Sequence, residues 1–454
     1  MSELTPNAES ELFSVAQKRS KQQMNDRRLF LKSGAALAAA GAMTSSARAE
    51  QAEDQAKNSP GERVVMGIMG VNGRGSAIAR GMMAAGNTEI AYVCDVDTRA
   101  ASRVSQLVGE VQKKDPKVVG DFRRILDDTG VDVLVVAAPN HWHAPATILG
   151  CSAGKHVYVE KPCSHTPEEG EMAVAAARKN KRIVQMGTQR RSWPGIVEAI
   201  QRIHEGAIGD VLYSRTWYNN RRPSIGVGKP TEVPDWLDWR LWQGPAPDRP
   251  FKDNVVHYNW HWHWDWGNGE LGNNGVHGID VARWGLEVTY PVRVTAGGGK
   301  YRHDDDQETP DTLMVTMDFP EGKSITWEGL SWSPLGPHDS GFGISFHGSE
   351  GSLVQQGTGY VMYDMKGKEI ATGNGAGGDK DHFADFLDGV RTGRLTNADI
   401  EIAHQSTLLC HLGNIAYRTG SVINTDPANG HITGNPTAQA LWGREYAPGW
   451  QPKV

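Results

Sequence analysis

Arg63-Val64-Val65-Met66-Gly67-Ile68-Met69 runs directly into Gly70-Val71-Asn72-Gly73-Arg74-Gly75, and this junction decides the fold. The apolar run has the length and composition of a parallel strand buried on both faces. The glycines after it permit a tight turn and close helix–strand packing, and Ser76 to Ala85 reads as the helix that this turn opens. A helix N-terminus placed there offers its unpaired N–H groups to an anion, above all a pyrophosphate. Asn72 stands where the G-x-G-x-x-G fingerprint carries its second glycine. Asn tolerates left-handed backbone angles better than most residues, so the turn remains open to it.

A second strand, Thr88 to Cys94, ends at Asp95, 20 residues beyond Gly75. At that spacing an acidic side chain meets an adenosine ribose, and its charge would repel a 2′-phosphate, so the reading favours NAD over NADP. Val131 to Ala138 then leads into Pro139-Asn140-His141-Trp142-His143, and His156 to Val159 leads into Glu160-Lys161-Pro162. Both place polar residues just past the carboxyl end of a parallel strand, where ligands sit in open α/β sheets. Residues 62–186 are therefore expected to form a Rossmann domain. Its nucleotide contacts are expected from Gly70, Asn72, Gly73, Arg74, Gly75, Asp95, Pro139, Asn140, His143, Glu160, Lys161 and Gln189.

Composition narrows the class further. The 454 residues, 39% hydrophobic and 22% charged, suit a globular protein of two domains. A net charge of -6 gives no reason to expect nucleic acid or an anionic membrane as partner. Cys94, Cys151, Cys163 and Cys410 show no metal-ligand spacing; Cys94 and Cys151 sit in or beside apolar runs and read as buried thiols, and no spacing argues for a disulfide.

Ahead of the first strand, Asp26-Arg27-Arg28-Leu29-Phe30-Leu31-Lys32 precedes a small-residue apolar run from Ser33 to Met43, and Ala47-Arg48-Ala49 supplies a cleavage signal. That run is too short to span a bilayer, so residues 1–49 read as a twin-arginine signal peptide, for the periplasm or export otherwise by that route, not as a membrane anchor. Residues 50–61 are polar and read as a flexible lead-in. A periplasm holds no nucleotide pool, so an exported nicotinamide enzyme is expected to hold its nucleotide tightly and regenerate it within its own cycle.

Glu160-Lys161-Pro162, the upstream fingerprint and a later Gly275-x-His277-x-x-Asp280 occur in this order. Together they resemble the glucose–fructose oxidoreductase / inositol dehydrogenase / MocA (Gfo/Idh/MocA) family, from about Arg63 to near the C-terminus. The resemblance implies an α/β fold: a Rossmann domain followed by an α/β domain on an open, mainly antiparallel sheet, through which members commonly pair as homodimers or homotetramers. It implies Lys161 and His277 as the catalytic pair and Glu160 beside the nicotinamide ribose. Many members carry an aspartate four residues before the histidine, whereas this chain has Asn273. An amide cannot share a negative charge with the imidazole, so the usual acid–base triad is incomplete.

Residues 187–454 are assigned to substrate binding and oligomerisation. Ser192 to His204 reads as a helix and Asp210 to Tyr218 as a strand. Trp236 to Trp266 is dense in Trp and His without clean periodicity, and is expected to be a long loop. Its indoles suit sugar C–H surfaces or a plug over the interdomain seam. Its histidines have no carboxylate at helical spacing, so no metal site is assigned. Glu270 to Leu286 reads as one helix with Asn273, His277 and Asp280 on a single face. Strands are expected at Val292–Ala296, Thr312–Phe319, Ser324–Leu330 and Gly341–His347, with helices near Lys380–Arg391 and Ile400–Arg418.

The expected activity is transfer of hydride between tightly bound NAD(H) and a secondary alcohol of a small-molecule sugar or polyol. His277 is the expected base, Lys161 the cation or proton relay, and Asp280 or Asn273 the group that orients the imidazole. Arg190, Asn219, Asn220, His261 and Trp264 are the expected substrate contacts. Two alternatives are carried forward: a glycosidase or lyase working through transient sugar oxidation, and a non-catalytic protein that retains NAD.

Overall fold

The computed structural model describes residues 62–454, so the leader and lead-in expected over residues 1–61 lie outside the described residues. A first sheet holds β1 (Val64–Met69), β2 (Thr88–Cys94), β3 (Lys117–Val119), β4 (Val133–Val136), β5 (His156–Val159) and β6 (Val184–Met186). Its order is β3-β2-β1-β4-β5-β6 and every pair is parallel. The order reverses between β1 and β4, and this switch point opens a crevice at the carboxyl ends of the strands. Helices α1 (Arg74–Ala84), α2 (Thr98–Gln112), α3 (Asn140–Ser152) and α4 (Pro167–Asn180) connect the strands. Asp97 caps α2 by accepting from the N–H groups of Arg99 and Ala100. Thr166 caps α4, with Pro167 in the first turn where its missing N–H costs nothing.

The second sheet is larger and open. It comprises β7 (Val211–Asn219), β8 (Arg293–Gly299), β9 (Thr312–Asp318), β10 (Ser324–Leu330), β11 (Phe342–Gly348), β12 (Gly351–Gln356), β13 (Gly359–Asp364), β14 (Glu369–Gly373), β15 (Ile423–Thr425) and β16 (Ile432–Thr433). The order is β14-β13-β12-β11-β7-β10-β9-β8-β15-β16. Only β7 and β10 run parallel; every other pair is antiparallel. Helices α5 (Pro194–His204), α6 (Val276–Leu286) and α8 (Ile400–Thr419) pack against it. The expected pairing of a Rossmann domain with an open, mainly antiparallel α/β domain is what the chain forms.

The chain also returns to its first domain. Helix α7 (Lys380–Thr392) sets Phe383, Phe386 and Leu387 into the core formed by Val64, Met66, Ile68, Ile78, Ile90, Val133 and Tyr158. An added Cβ on Gly81 of α1 would lie 2.2 Å from the Phe383 ring, so the two helices touch where only hydrogen fits. Ahead of α8, Met186 N donates to the Ala398 carbonyl at 3.0 Å. Cys94, Cys151, Cys163 and Cys410 are all free and buried. Among the described residues no helix is long and apolar enough to cross a membrane.

Candidate active site

The glycine loop needs its first and last glycines for packing and its middle one for space. Gly70 has φ +82, and a Cβ there would meet the Ala138 backbone at 2.6 Å. A Cβ on Gly75 would lie 1.9 Å from the Gly70 carbonyl oxygen. Around Gly73 nothing lies within 4 Å of the same built atom, so the chain leaves room there. Asp95, at the end of β2, accepts from Val71 N at 2.7 Å and from Asp97 N at 2.9 Å. Its carboxylate therefore ties the loop to the strand beside it while still lining the cleft.

One cleft of about 610 Å³ runs from this loop to the second domain. Gly70, Asn72, Gly73, Arg74, Asp95, Pro139, Asn140, His143, Glu160, Lys161, Gln189, His261, Asn273 and His277 all line it. Gly75 lies beneath the loop in a packing role. An open glycine turn, a helix N-terminus and an acidic residue at the end of β2 are the features a dinucleotide requires, and the residues present fit one.

At the second-domain end the side chains interlock. Lys161 Nζ donates to the main-chain oxygen and to Oδ1 of Asn273, both at 2.8 Å. Burial pushes the Lys161 ammonium below the usual lysine range, against Glu160 and Glu270, whose charges hold it up. Glu160 accepts from Arg74 Nε at 2.7 Å, and Arg74 Nη1 reaches Asp379 at 2.7 Å ahead of α7. His143 sits between two carbonyls, Pro162 O at 2.6 Å and Ala138 O at 2.7 Å, joining the turns after β4 and β5. Among the described residues the His277 imidazole has no hydrogen-bond partner, and its Nδ1 is buried. Burial, reinforced by the charges of Lys161, Arg190 and Arg74, keeps His277 far below the usual histidine range. It is a neutral imidazole facing the cleft.

Several expectations are corrected. Residues 271–275 form a π-helical turn that runs into α6, so the segment is not one regular helix. Asn273 and His277 line the cleft, but Asp280 does not share their face. Asp280 is 1% exposed, accepts from Arg191 Nε at 2.8 Å and from Ser406 Oγ at 2.6 Å, and orients no imidazole. A guanidinium as buried as that of Arg191 demands a counter-charge, and Asp280 supplies it. Four of the expected substrate contacts lie off the cleft and are held by local partners. Arg190 lies over the rings of Trp193 and Phe342 at 4.7 and 4.1 Å. Asn219 Nδ2 donates to Leu335 O at 3.1 Å, and Asn220 bonds the Tyr218 hydroxyl. Trp264 carries Arg418 on its ring at 4.9 Å beside a separate cavity of about 260 Å³.

The Trp-rich segment divides its residues between a small core and the wall of the cleft. Trp239, Trp242, Trp260 and Trp266 form a small core with Leu237, Phe251 and Val255, in which Trp239 stacks on Trp242 at 4.6 Å. Tyr258 and His261 face the cleft, as does part of Trp242 and Trp260. The loop also contains a short helix, Trp239–Gln243, capped by Asp238. It is anchored at both lips: Asp238 N donates to Val96 O at 3.0 Å, and Trp142 Nε1 donates to Trp242 O at 3.0 Å. Residues that the motifs did not flag include Glu270, Arg222 and Asp379, and only the fold brings them to this site.

The geometry defines a Rossmann cleft fitted to a dinucleotide, with Lys161 and its partners gathered at the second-domain end. Residues 64–188 match a family model described as oxidoreductase family, NAD-binding Rossmann fold, and residues 216–451 match the same family's C-terminal alpha/beta domain. The chain belongs to the Gfo/Idh/MocA oxidoreductase family. Levoglucosan dehydrogenase from Pseudarthrobacter phenanthrenivorans is 30% identical over 263 residues, 52% of this chain and 57% of its own length. Glycosyl hydrolase family 109 protein 2 from Shewanella sp. (strain ANA-3) is 28% identical over 208 residues, 42% of this chain and 46% of its own. The match thus spans about half the length of these relatives. Among solved structures, levoglucosan dehydrogenase in complex with NADH and levoglucosan has a TM-score of 0.63 at 19% identity, over 80% of this chain and 99% of that one. An aldose-aldose oxidoreductase from Caulobacter crescentus complexed with glycerol gives 0.60 at 22%, over 80% and 99%. These likenesses establish the fold.

Proposed function

We propose that this protein is an NAD(H)-dependent oxidoreductase acting on a secondary alcohol of a sugar or polyol. One observation carries the reading: the glycine turn, Lys161 and His277 line a single continuous cleft. When bound, the nicotinamide supplies the two-electron acceptor or donor for the carbinol carbon. Every remaining task falls to side chains of this chain.

Electrostatics divides those tasks. His277 is neutral, and three nearby positive charges oppose its taking a proton, so it orients the substrate hydroxyl. Lys161 has the lowered pKa of a proton acceptor. Asn273 occupies two of its N–H directions, leaving one position on Nζ for the substrate. In the ammonium that position is a donor to an alkoxide or carbonyl oxygen; in the amine it is a lone pair for the hydroxyl proton. The expected roles of the two residues are thereby exchanged. Replacing Lys161 by Ala should lower turnover by about 10²–10⁴-fold while the nucleotide is retained. Turnover that survives intact would sink the catalytic reading, and a protein with no turnover to lose would be an NAD-retaining binder.

A second reading has specific support in the relatives named glycosyl hydrolase family 109 proteins and in the amide at position 273. Oxidation at one sugar carbon acidifies the neighbouring C–H, elimination releases a glycosidic leaving group, and return of the electrons closes a cycle with no net redox. Incubation with glycosides and no added acceptor separates the two: cleavage products support this reading, and paired lactone and alditol support the first. Export and self-association belong to the same proposal. The twin-arginine leader within residues 1–49 supports periplasmic delivery, tested by cell fractionation. The homodimer or homotetramer that the family resemblance implies is tested by analytical ultracentrifugation.

A further inference from the structure

Behind Asn273, away from the cleft, lies a buried carboxylate that the mechanism above does not use. Glu270 is 5% exposed. Its Oε2 accepts from Arg222 Nε at 2.5 Å, and its Oε1 accepts from Arg222 Nη2 at 3.2 Å and from Asn273 Nδ2 at 3.4 Å, with Asn274 Nδ2 on the same oxygen. Arg222 is itself enclosed, its guanidinium over the Trp262 ring at 4.8 Å and bonded to the Tyr258 hydroxyl at 2.9 Å. A line of contacts therefore runs Arg222, Glu270, Asn273, Lys161.

The chemistry of an amide gives this line its meaning. Asn273 can face Lys161 with either its oxygen or its NH₂ group. A carboxylate only accepts, so Glu270 draws Nδ2 towards itself and turns Oδ1 towards Nζ. With the amide reversed, Nδ2 would repel the ammonium, or would donate into the lone pair of the amine and occupy the position the substrate hydroxyl needs. We infer that Glu270 is the positioning residue of this site: held by Arg222, it locks the Asn273 amide so that the free position on Lys161 Nζ stays directed to substrate. This rests on the proposed role of Lys161. Arg222 also decides what a neutral replacement would do. A Gln at 270 would turn its oxygen to the guanidinium and its NH₂ to Asn273, forcing the amide over.

The charged groups facing Lys161 are Glu160 and Arg74 from the first domain and Glu270 and Arg222 from the second, with neutral His143, His261 and His277 around them. Removing Glu270 takes away one of two negative charges and the accepting amide oxygen together.

The test compares the nucleotide-loaded wild type with Glu270→Gln. The pH dependence of Lys161 acetylation by acetic anhydride, read by mass spectrometry, gives the titration midpoint of Nζ without any substrate. That midpoint is expected to fall by about one pH unit or more. The kcat is expected to drop about 10- to 100-fold at unchanged nucleotide content, with the sugar KM within about threefold. In an Asn273→Asp background no amide remains to turn, so the same Glu270→Gln change should cost less than about threefold in kcat. Asn273→Asp by itself should raise the midpoint, which keeps the test alive if Glu270→Gln fails to fold. An unmoved midpoint, or an equal loss of kcat in both backgrounds, overturns the proposal. Because the midpoint needs no sugar, its failure is distinct from a failure of the oxidoreductase reading.

Discussion

The two ends of the cleft are built on different principles. At the glycine turn the main chain shapes the cleft: Gly70, Gly73 and Gly75 act through what they lack, and the Asp95 side chain beside them is fastened to backbone N–H groups. At the Lys161 end side chains from four separate stretches interlock, with Arg74, Glu160, Lys161, Asn273, Glu270 and Arg222 joined in one line of contacts. A backbone site is specified locally, and at Gly70 and Gly75 it tolerates no added atoms. A side-chain site is specified by the fold and tolerates shape changes, but not loss of charge balance.

The contrast is broken most directly at Gly75. Gly75→Ala puts a methyl 1.9 Å from the Gly70 oxygen, so the turn must open. Nucleotide carried through purification, read by absorbance after denaturation, should fall at least about 100-fold. Next in size is Asp280→Asn, which strands the buried Arg191 guanidinium and should cost about 3–5 kcal/mol in denaturant unfolding. The pH–rate profile should not move; a moved profile would return Asp280 to the chemistry.

Acid sharpens the comparison through the buried histidines. Burial pushes His141 and His411 down to about 3 and His382 and His404 down to about 4. An unfolded chain takes up these protons near pH 6.5, so the folded form binds fewer protons below that pH. The stability they contribute is complete above about pH 6.5 and is lost as pH falls towards 4, at about 1.4 kcal/mol per histidine per pH unit. His141 bonds Trp242 O, His382 bonds Met186 O and His411 meets Ser164, so the loss falls on joints between distant stretches of chain. Melting temperature should be level from pH 8 to 7 and fall steeply between about pH 6 and 4. A level profile through pH 5 would contradict this.

The smallest effect is expected at Gly73. Its built Cβ meets nothing, so Gly73→Ala should leave unfolding of the nucleotide-free protein within about 0.5 kcal/mol of wild type. Nucleotide release should nonetheless quicken, because the free space is where a pyrophosphate approaches. Equal release rates would place the phosphates elsewhere.

The same division explains what could be read in advance. Strand, turn, helix and Asp95 follow one another along the chain, so periodicity and spacing disclose the first domain and its nucleotide end. Lys161 and His277 became legible only through motifs, since a lysine after a strand and a histidine on a helix have no periodic signature. Spacing alone puts Asp280 near His277, since both lie in α6, but its carboxylate is taken by Arg191 and Ser406, which come from distant stretches of chain that no local pattern reveals. Glu270 looks like an ordinary acidic residue at a helix start, and Arg222 like one of two loop arginines. Nothing local announces that they meet. The tryptophans of Trp236 to Trp266 could be counted but not sorted, because which indole packs inward depends on the short helix at Trp239–Gln243 and on two distant anchors.

The placement of Phe383, Phe386 and Leu387 against the first sheet has a consequence for how the protein is made. A nascent polypeptide that has emerged only as far as β6 carries all six parallel strands yet leaves one apolar surface uncovered. Phe383, Phe386 and Leu387 cover that surface in the full chain, so a fragment ending at β6 is expected to expose it to solvent.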